Sequence, residues 1–157
     1  MKIPSSLIEK INNKKVVIFA GAGLSMNVGL PSWYDLINNI LDEIKDKEPK
    51  SIKFKDALKD EIMTPLEVLN KIEEQKEYAI EALEKNIRSF DDNKPAEIHK
   101  KLGEISTKII TTNYDCLLEE QFPSFEKIPY SNNFKIAKLS EYENYIFKIH
   151  GDIHEPD

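Results

Sequence analysis

The fold is decided by residues 16–25, which read VVIFAGAGLS. Residues 16–20 form a short, continuous run of apolar, largely β-branched side chains, which predicts a parallel strand buried on both faces. The run ends abruptly in the small residues Gly21, Ala22, Gly23 and Ser25. Glycine lets a ligand approach the backbone closely, and N–H groups at a helix start attract anions. The loop is therefore a candidate cradle for a phosphate group.

This loop matches neither common phosphate-binding motif in full. Met26 stands where G-x-G-x-x-G has its third glycine, and no Gly-Lys-Ser/Thr of a P-loop follows. A tight strand-to-helix turn is the alternative interpretation. The chain has only five glycines, and Gly21, Gly23 and Gly29 lie within nine residues. That concentration, directly after a buried strand, favours a nucleotide site over a plain turn.

Three further strands are predicted downstream, and helical segments separate them. Residues 108–112 and 145–149 are short apolar runs of β type, and residues 126–129 form a briefer one. This alternation predicts an α/β fold, a Rossmann-like doubly wound parallel sheet with inserted helices.

Three helices are predicted between the first two strands. They cover residues 33–44 behind the N-cap Ser32, residues 64–87 in one piece ended by residues 91–93, and a stretch after Pro95 with Ile98, Leu102 and Ile105 on one face. Residues 42–62 are charge-dense and contain Pro49, which predicts a helix end and a connector. We expect residues 42–94 to be a helical insertion in the domain.

Polar residues follow two of the later strands directly. Asn113 and Asp115 come after residues 108–112, and His150 comes after residues 145–149. Because parallel strands end at one edge of a sheet, these residues and the glycine loop are expected to converge on one ligand site. The alternative for Asn113 and Asp115 is a stabilised turn with a capped helix start. A histidine at a strand end is well placed for proton transfer near neutral pH.

The other histidines carry less chemical signal. His99 lies on a helical face and is expected to be structural. His154, together with His150, Asp152 and Glu155, contains donor types that bind metals, but such residues near a chain end are usually solvated, so no metal site is predicted.

Composition excludes several functional classes. The 157 residues carry 22 Lys+Arg and 28 Asp+Glu, a net charge of −6, and Arg88 is the single arginine. An acidic chain with one guanidinium group is a poor binder of nucleic acid. One cysteine, Cys116, excludes a disulfide framework and a multi-thiolate zinc site. Neither a signal-peptide core nor an apolar run of membrane-spanning length occurs, so a cytoplasmic protein with no membrane partner is expected.

Three motifs in this order, GAGLSMNVGLPSW, TTNYD and KIHGD, resemble the sirtuin-like NAD-binding domain, in particular the branch found in bacterial anti-phage defence effectors that hydrolyse NAD. The resemblance spans about residues 14–155. It implies that the Gly21 loop, with Ala22, Gly23 and Ser25, surrounds the NAD phosphates. It also implies that Asn113 lies beside the nicotinamide ribose, that Asp115 lies near the nicotinamide pocket and that His150 is the catalytic histidine.

Two departures from the deacylase sirtuins favour plain NAD cleavage. Deacylases carry Asp-Phe-Arg after their Gly-x-Pro, where this chain has Ser32, Trp33 and Tyr34. They also carry a four-cysteine zinc module, so no zinc is expected here. The resemblance implies an NAD glycohydrolase that uses NAD as a substrate, with Asn113 and His150 as catalytic residues. A non-catalytic NAD or ADP-ribose sensing module is the alternative, and a protein deacylase is third.

The resemblance carries two expectations about the wider protein. Defence effectors of this kind work as oligomers and respond to a phage-derived or partner-protein trigger, through regions outside this chain. Further strands of the sheet would follow the HGD motif, so residues 1–157 are expected to be the N-terminal part of the domain, with weak or absent activity on their own.

Overall fold

The computed structural model describes residues 3–88, 96–152 and 155–156. The chain forms two compact units, one made of residues 1–28 with 94–157 and the other of residues 29–93. We call these the sheet unit and the helical unit. The helical unit overlaps the insertion predicted at residues 42–94, whose status as an insertion stays a prediction.

Helices and strands follow one another along the chain with two short 3₁₀ helices among them. In order they are α1 (Ser5–Asn12), β1 (Ile18–Ala20), α2 (Gly23–Met26), α3 (Trp33–Glu43), α4 (Ser51–Lys59), α5 (Pro65–Lys71), the 3₁₀ helix Glu73–Gln75, α6 (Lys76–Arg88), α7 (Glu97–Ile105), β2 (Lys108–Thr111), α8 (Leu117–Gln121), β3 (Glu126–Pro129), α9 (Asn133–Ala137), the 3₁₀ helix Leu139–Glu141, β4 (Tyr145–Lys148), β5 (Gly151–Asp152) and β6 (Glu155–Pro156). Within these described ranges, none of the helices has the length and apolarity needed to cross a membrane.

The sheet unit is built on four parallel strands in the order β1-β2-β4-β3. Ile109 pairs with Ile18 on one side and with Ile146 on the other, so β2 and β4 lie at the centre. The predicted α/β fold with a parallel sheet is confirmed. Because all four strands run the same way, the loops that follow β1, β2 and β4 leave the same edge.

Strand β1 differs from its prediction in length and burial. Its pairing begins at Ile18 rather than at residue 16, because the Val16 carbonyl accepts a hydrogen bond from the Ser106 hydroxyl at 2.6 Å. Phe19 is 65% exposed, although Ala20 is buried with Ile109 and Ile146 in the core. The expectation of burial on both faces is therefore wrong, since in the described part of the chain little packs over the face that carries Phe19.

Helix α3 in the helical unit follows its sequence pattern. Ser32 caps it by accepting the Asp35 N–H at 3.1 Å. The buried stripe consists of Leu36, Ile37, Ile40, Leu41 and Ile44. A period of 3.6 residues thus predicted both the helix and its core face correctly.

The rest of the helical unit corrects two predictions. Residues 42–62 are no mere connector, since they include α4, which buries Ser51 and Leu58. The single helix predicted over residues 64–87 is broken into α5 and α6 by the 3₁₀ helix Glu73–Gln75. Both pieces contact α3. A straight helix would have been about 36 Å long against about 16 Å for α3, so the break lets both pieces pack on it.

Helix α7 buries a different face from the one predicted. Ile98 and Ile105 are exposed, whereas His99 is fully buried and Leu102 is half-buried. His99 lies at the third helical position, where its Nδ1 accepts the Ala96 N–H at 3.0 Å. This local bond turns the imidazole inward. Pro95 and the helix end predicted at residues 91–93 lie outside the described residues.

Candidate active site

The three polar loops leave neighbouring strands at the carboxyl edge of the sheet. Thr111 of β2 pairs with Lys148 of β4, and Asn113 and His150 each follow two residues later. The ladder extends past β4, because the Ile149 N–H donates to the Thr111 carbonyl at 3.0 Å. On the other side, the Thr112 N–H donates to the Ala20 carbonyl at 3.2 Å. Backbone pairing therefore fixes the start of each loop.

Ser25, Asn113 and Asp115 form a connected hydrogen-bond network. The Ser25 hydroxyl donates to Asp115 Oδ2 at 2.7 Å, and Asn113 Nδ2 donates to Ser25 Oγ at 2.8 Å. Asn113 Nδ2 also donates to the Gly21 carbonyl at 3.2 Å. All three side chains are buried. Residues about ninety positions apart in sequence are thus joined by direct contacts.

Asp115 has a second, local role. Its Oδ1 accepts the Leu117 N–H at 3.1 Å, which stabilises the start of α8 as the capping alternative predicted. Its other oxygen binds Ser25. The carboxylate therefore connects the helix start to the glycine loop, and the capping and site interpretations are compatible.

The carboxamide oxygen of Asn113 is the conspicuous atom of the network. Both hydrogens of Nδ2 are used within the protein, and the backbone N–H donates to Thr111 Oγ1 at 3.0 Å. Asn113 Oδ1 is buried and has no hydrogen-bond partner among the described residues. Buried acceptors are nearly always paired, so an unpaired one marks a place for a water or a ligand hydroxyl.

The glycine loop leads into the short helix α2. Leu24 N–H donates to the Gly21 carbonyl at 2.9 Å, and Ser25 N–H donates to the Ala22 carbonyl at 3.0 Å. Neither Gly21 nor Gly23 has a positive φ, unlike Gly29 and Gly151. A Cβ at Gly23 would meet no atom within 4 Å. Neither a positive φ nor a clash with the described residues therefore requires glycine at position 23.

His150 lies exposed at the end of the β4 ladder. Gly151 follows it with a φ of 86°, a conformation that favours glycine. The backbone turns there into β5, which pairs antiparallel with β6. The His-Gly order thus ends the strand sharply and leaves the imidazole accessible at the sheet edge.

Residues 107–157 match the family model of the SIR2-like domain. The predicted resemblance to the sirtuin-like family is confirmed. Curated relatives agree. The chain is 30% identical to the NAD(+) hydrolase ThsA of Enterococcus faecium over 152 residues, which cover 92% of this chain and 29% of the relative. It is 28% identical to the NAD(+) hydrolase ThsA of Bacillus cereus (strain MSX-D12), over 94% of this chain and 30% of that protein. It is 27% identical to Defense-associated sirtuin 2 of Bacillus subtilis, over 93% of this chain and 14% of that protein.

The chain thus spans less than a third of the length of these relatives. The SIR2-like match itself includes Asn113, Asp115 and His150 but not the glycine loop. That loop is tied to the SIR2-like segment by the hydrogen bonds from Asn113 to Gly21 and between Ser25 and Asp115.

Sequence reasoning missed one residue of the SIR2-like segment, the buried Lys148. Its ammonium group donates to the carbonyls of Tyr114 at 3.1 Å and Asp115 at 2.7 Å. It also pairs with Glu119 Oε1 at 2.9 Å. The available signal was a lysine inside the apolar strand YIFK, since a charge there needs a buried partner.

His99 lies outside the SIR2-like match and behaves as a structural residue. Burial lowers the pKa of its imidazole, and the nearby Asp115 carboxylate acts in the opposite direction. Its Nε2 is buried with no partner among the described residues. A neutral imidazole that caps α7 through Nδ1 fits these observations.

The residues with metal-binding donor types, His150, Asp152, His154 and Glu155, lie at the end of the SIR2-like match. In the part of the chain that the structure describes, no three His, Cys, Asp or Glu side chains come together as a metal site would require. His154 lies outside the described residues, and the side chains of Asp152 and Glu155 are not described either.

Proposed function

We propose that this chain supplies catalytic residues for hydrolysis of NAD at the nicotinamide–ribose bond, in a bacterial defence protein that acts by NAD depletion. The observation that carries the proposal is the state of the buried Asn113 amide. Its Nδ2 donates to the Gly21 carbonyl and to Ser25 Oγ, and its Oδ1 has no hydrogen-bond partner among the described residues. The SIR2-like match and relatives whose names describe NAD(+) hydrolases support NAD as the substrate.

In the proposed reaction, the bond between nicotinamide and C1′ breaks and a water oxygen forms the new bond to C1′. Nicotinamide leaves with the electron pair of that bond, which neutralises the positive charge on its ring nitrogen, so its departure needs little acid assistance. The ribosyl carbon develops oxocarbenium character. The water releases one proton, and the products are ADP-ribose and nicotinamide.

The residues of the chain divide this work. Asn113 Oδ1 accepts a hydrogen bond from the attacking water or from a ribose hydroxyl and so fixes its orientation. His150, exposed at the edge, accepts the proton. Gly21, Ala22 and Gly23 leave room and N–H groups for the phosphates, whereas the Ser25 N–H is bonded to the Ala22 carbonyl and Asp115 holds the Ser25 hydroxyl in place.

The test is NAD consumption by the complete protein, with ADP-ribose and nicotinamide measured as products. His150→Ala and Asn113→Ala are each expected to lower turnover about a hundredfold or more. Asn144→Ala is the matched control, because Asn144 is exposed and lies immediately before β4, at the opposite end of the strand. Circular dichroism checks that each variant is folded. Undiminished turnover in both site variants would contradict the assignment.

A sensing module that binds NAD without cleaving it is the second candidate. The hydrogen bonds of Ser25 with Asp115 and Asn113 are compatible with it, because they stabilise a binding loop as well as a catalytic one. Calorimetry with NAD followed by product analysis separates the two. Binding with intact NAD indicates a sensor, whereas release of nicotinamide indicates an enzyme. Oligomerisation and a phage-derived or partner-protein trigger stay predictions.

A further inference from the structure

Lys148 is a buried cation in the central strand β4, with 3% of its surface exposed. Burying an ammonium group is costly unless it is paired and hydrogen-bonded. Its three N–H donors have three acceptors within reach: the carbonyls of Tyr114 and Asp115 and the carboxylate of Glu119. The lysine therefore uses its complete donor set within one short segment of chain.

The segment that Lys148 binds is the loop that carries Asn113. The two carbonyls directly follow Asn113, and Glu119 lies in α8, which the loop enters. Lys148 itself belongs to the neighbouring strand, two residues before His150. One side chain thus connects the backbone of the Asn113 loop to the strand that presents His150.

We propose that Lys148 is a positioning residue, which holds the backbone of residues 114–115 so that Asn113 and His150 keep a fixed relation at the sheet edge. The proposal rests on the proposed NAD hydrolysis and adds a residue that touches neither substrate nor reacting atoms. An apolar pair in place of a buried ion pair is often neutral or stabilising for a fold. It could not donate to the two loop carbonyls, which explains the need for a lysine.

The test compares four variants of the complete protein: Lys148→Met, Glu119→Gln, the double variant with both changes, and Lys127→Met. The double variant has no unpaired buried charge, so it separates stability from positioning. Lys127→Met is the matched control, because Lys127 is exposed on the adjacent strand β3. Three quantities are measured: the Tm, hydrogen exchange of the peptide spanning residues 112–118, and kcat and KM for NAD.

We expect Lys148→Met to lower the Tm and the double variant to recover most of that loss. The double variant should nevertheless exchange the amides of residues 112–118 faster than the wild type. Its kcat should be about tenfold to a hundredfold lower with little change in KM, because misplacement of Asn113 affects the reacting geometry. Lys127→Met should match the wild type in all three quantities.

Wild-type exchange and wild-type kcat in the double variant would overturn the proposal, because the ion pair would then serve stability alone. Failure of the wild-type protein to cleave NAD would overturn the proposed function instead. In that case the exchange measurement decides the role of Lys148: faster exchange in the double variant supports it, and unchanged exchange contradicts it.

Discussion

The two units of the chain bury different kinds of residue. Among the described residues, the helical unit has a core of aliphatic side chains, with Ser51 as its single buried polar residue. In the described part of the sheet unit, eight polar or charged residues are buried: Ser25, His99, Ser106, Thr111, Asn113, Asp115, Glu119 and Lys148. Several of them converge at the carboxyl ends of the strands.

Ion pairs show the same contrast. Lys55 with Asp42 and Lys85 with Glu43 pair on the surface of the helical unit. Lys148 and Glu119 pair in the interior of the sheet unit, with side chains only 4% and 5% exposed, although this unit also has the partly exposed pair of Lys135 and Glu126. Surface pairs add little stability, whereas a broken buried pair costs much. Loss of one partner is therefore most costly among the buried polar groups of the sheet unit.

The buried and surface ion pairs give the largest expected difference. Lys148→Met leaves the Glu119 carboxylate buried without its cation and should lower the free energy of unfolding by about 3–5 kcal/mol. Lys85→Met removes the surface partner of Glu43 and should cost less than about 1 kcal/mol. Urea denaturation of the two variants measures both values. Equal losses would erase the contrast between the units.

The next largest change in stability is expected where Gly103 of α7 lies close to Phe122 in the sheet unit. A Cβ at Gly103 of α7 would lie 2.6 Å from Phe122 Cε1, and the Phe122 ring is stacked on Phe125 at 4.7 Å. Gly103→Ala gains about 1 kcal/mol of helix propensity and loses about 1–3 kcal/mol by overpacking. We expect a net loss of about 1 kcal/mol by thermal denaturation.

The matched control for that substitution is Gly23→Ala, since its Cβ would enter open space. The control should keep the stability of the wild type. If Gly103→Ala were instead stabilising, α7 would not approach Phe122 as closely as the structure has it.

His99 is expected to make the stability of the sheet unit depend on pH. Burial lowers the pKa of its imidazole in the native state, so below about pH 6.5 the imidazole binds a proton more readily in the unfolded state than in the native state. The free energy of unfolding is therefore unaffected by His99 above that pH. It falls as the pH drops towards the native pKa, by at most about 1.4 kcal/mol per pH unit. Denaturation at pH 5.5 and 7.5 measures the slope.

His99→Gln removes the titrating group while Gln can still accept the Ala96 N–H at the third helical position. The variant should show a smaller loss of stability between pH 7.5 and pH 5.5 than the wild type. An equal loss in both proteins would assign the pH dependence to other groups.

The smallest expected change in stability comes from a helix cap in the helical unit, at the start of α5. Thr64 accepts the Glu67 N–H at 3.3 Å, and Glu67 accepts the Thr64 N–H at 2.7 Å. Thr64→Ala should destabilise the helical unit by about 1 kcal/mol. Glu67→Gln can keep the reciprocal bond and should have a smaller effect. A larger loss from Glu67→Gln than from Thr64→Ala would show that the charge, rather than the cap, stabilises α5.

Short-range patterns predicted much of this architecture. The cap of α3, its buried stripe and the positions of β2, β3 and β4 follow from residue spacing and from residues close in sequence. The sequence also predicted that Asn113 and His150 follow strands at one edge of the sheet, and the structure shows that these strands, β2 and β4, are neighbours. These features depend on local conformation and periodicity, which the sequence contains directly.

Other features depended on partners distant in sequence. Phe19 looked buried because its run is apolar, and α5 and α6 looked continuous because their residues favour one helix throughout. The inward face of α7 was assigned to Ile98, whereas His99 occupies it. In each case, packing against distant elements decided the outcome against the local pattern.

The sequence by itself determined the α/β class, the parallel order implied by strands alternating with helices, and the three polar motifs that follow strands. Only the tertiary structure decided that Asn113 uses both amide hydrogens and leaves Oδ1 unpaired, and that Lys148 holds the loop beside it. The physical reason is that strand and helix signals are local, whereas the partner of a buried polar group is set by where distant segments meet.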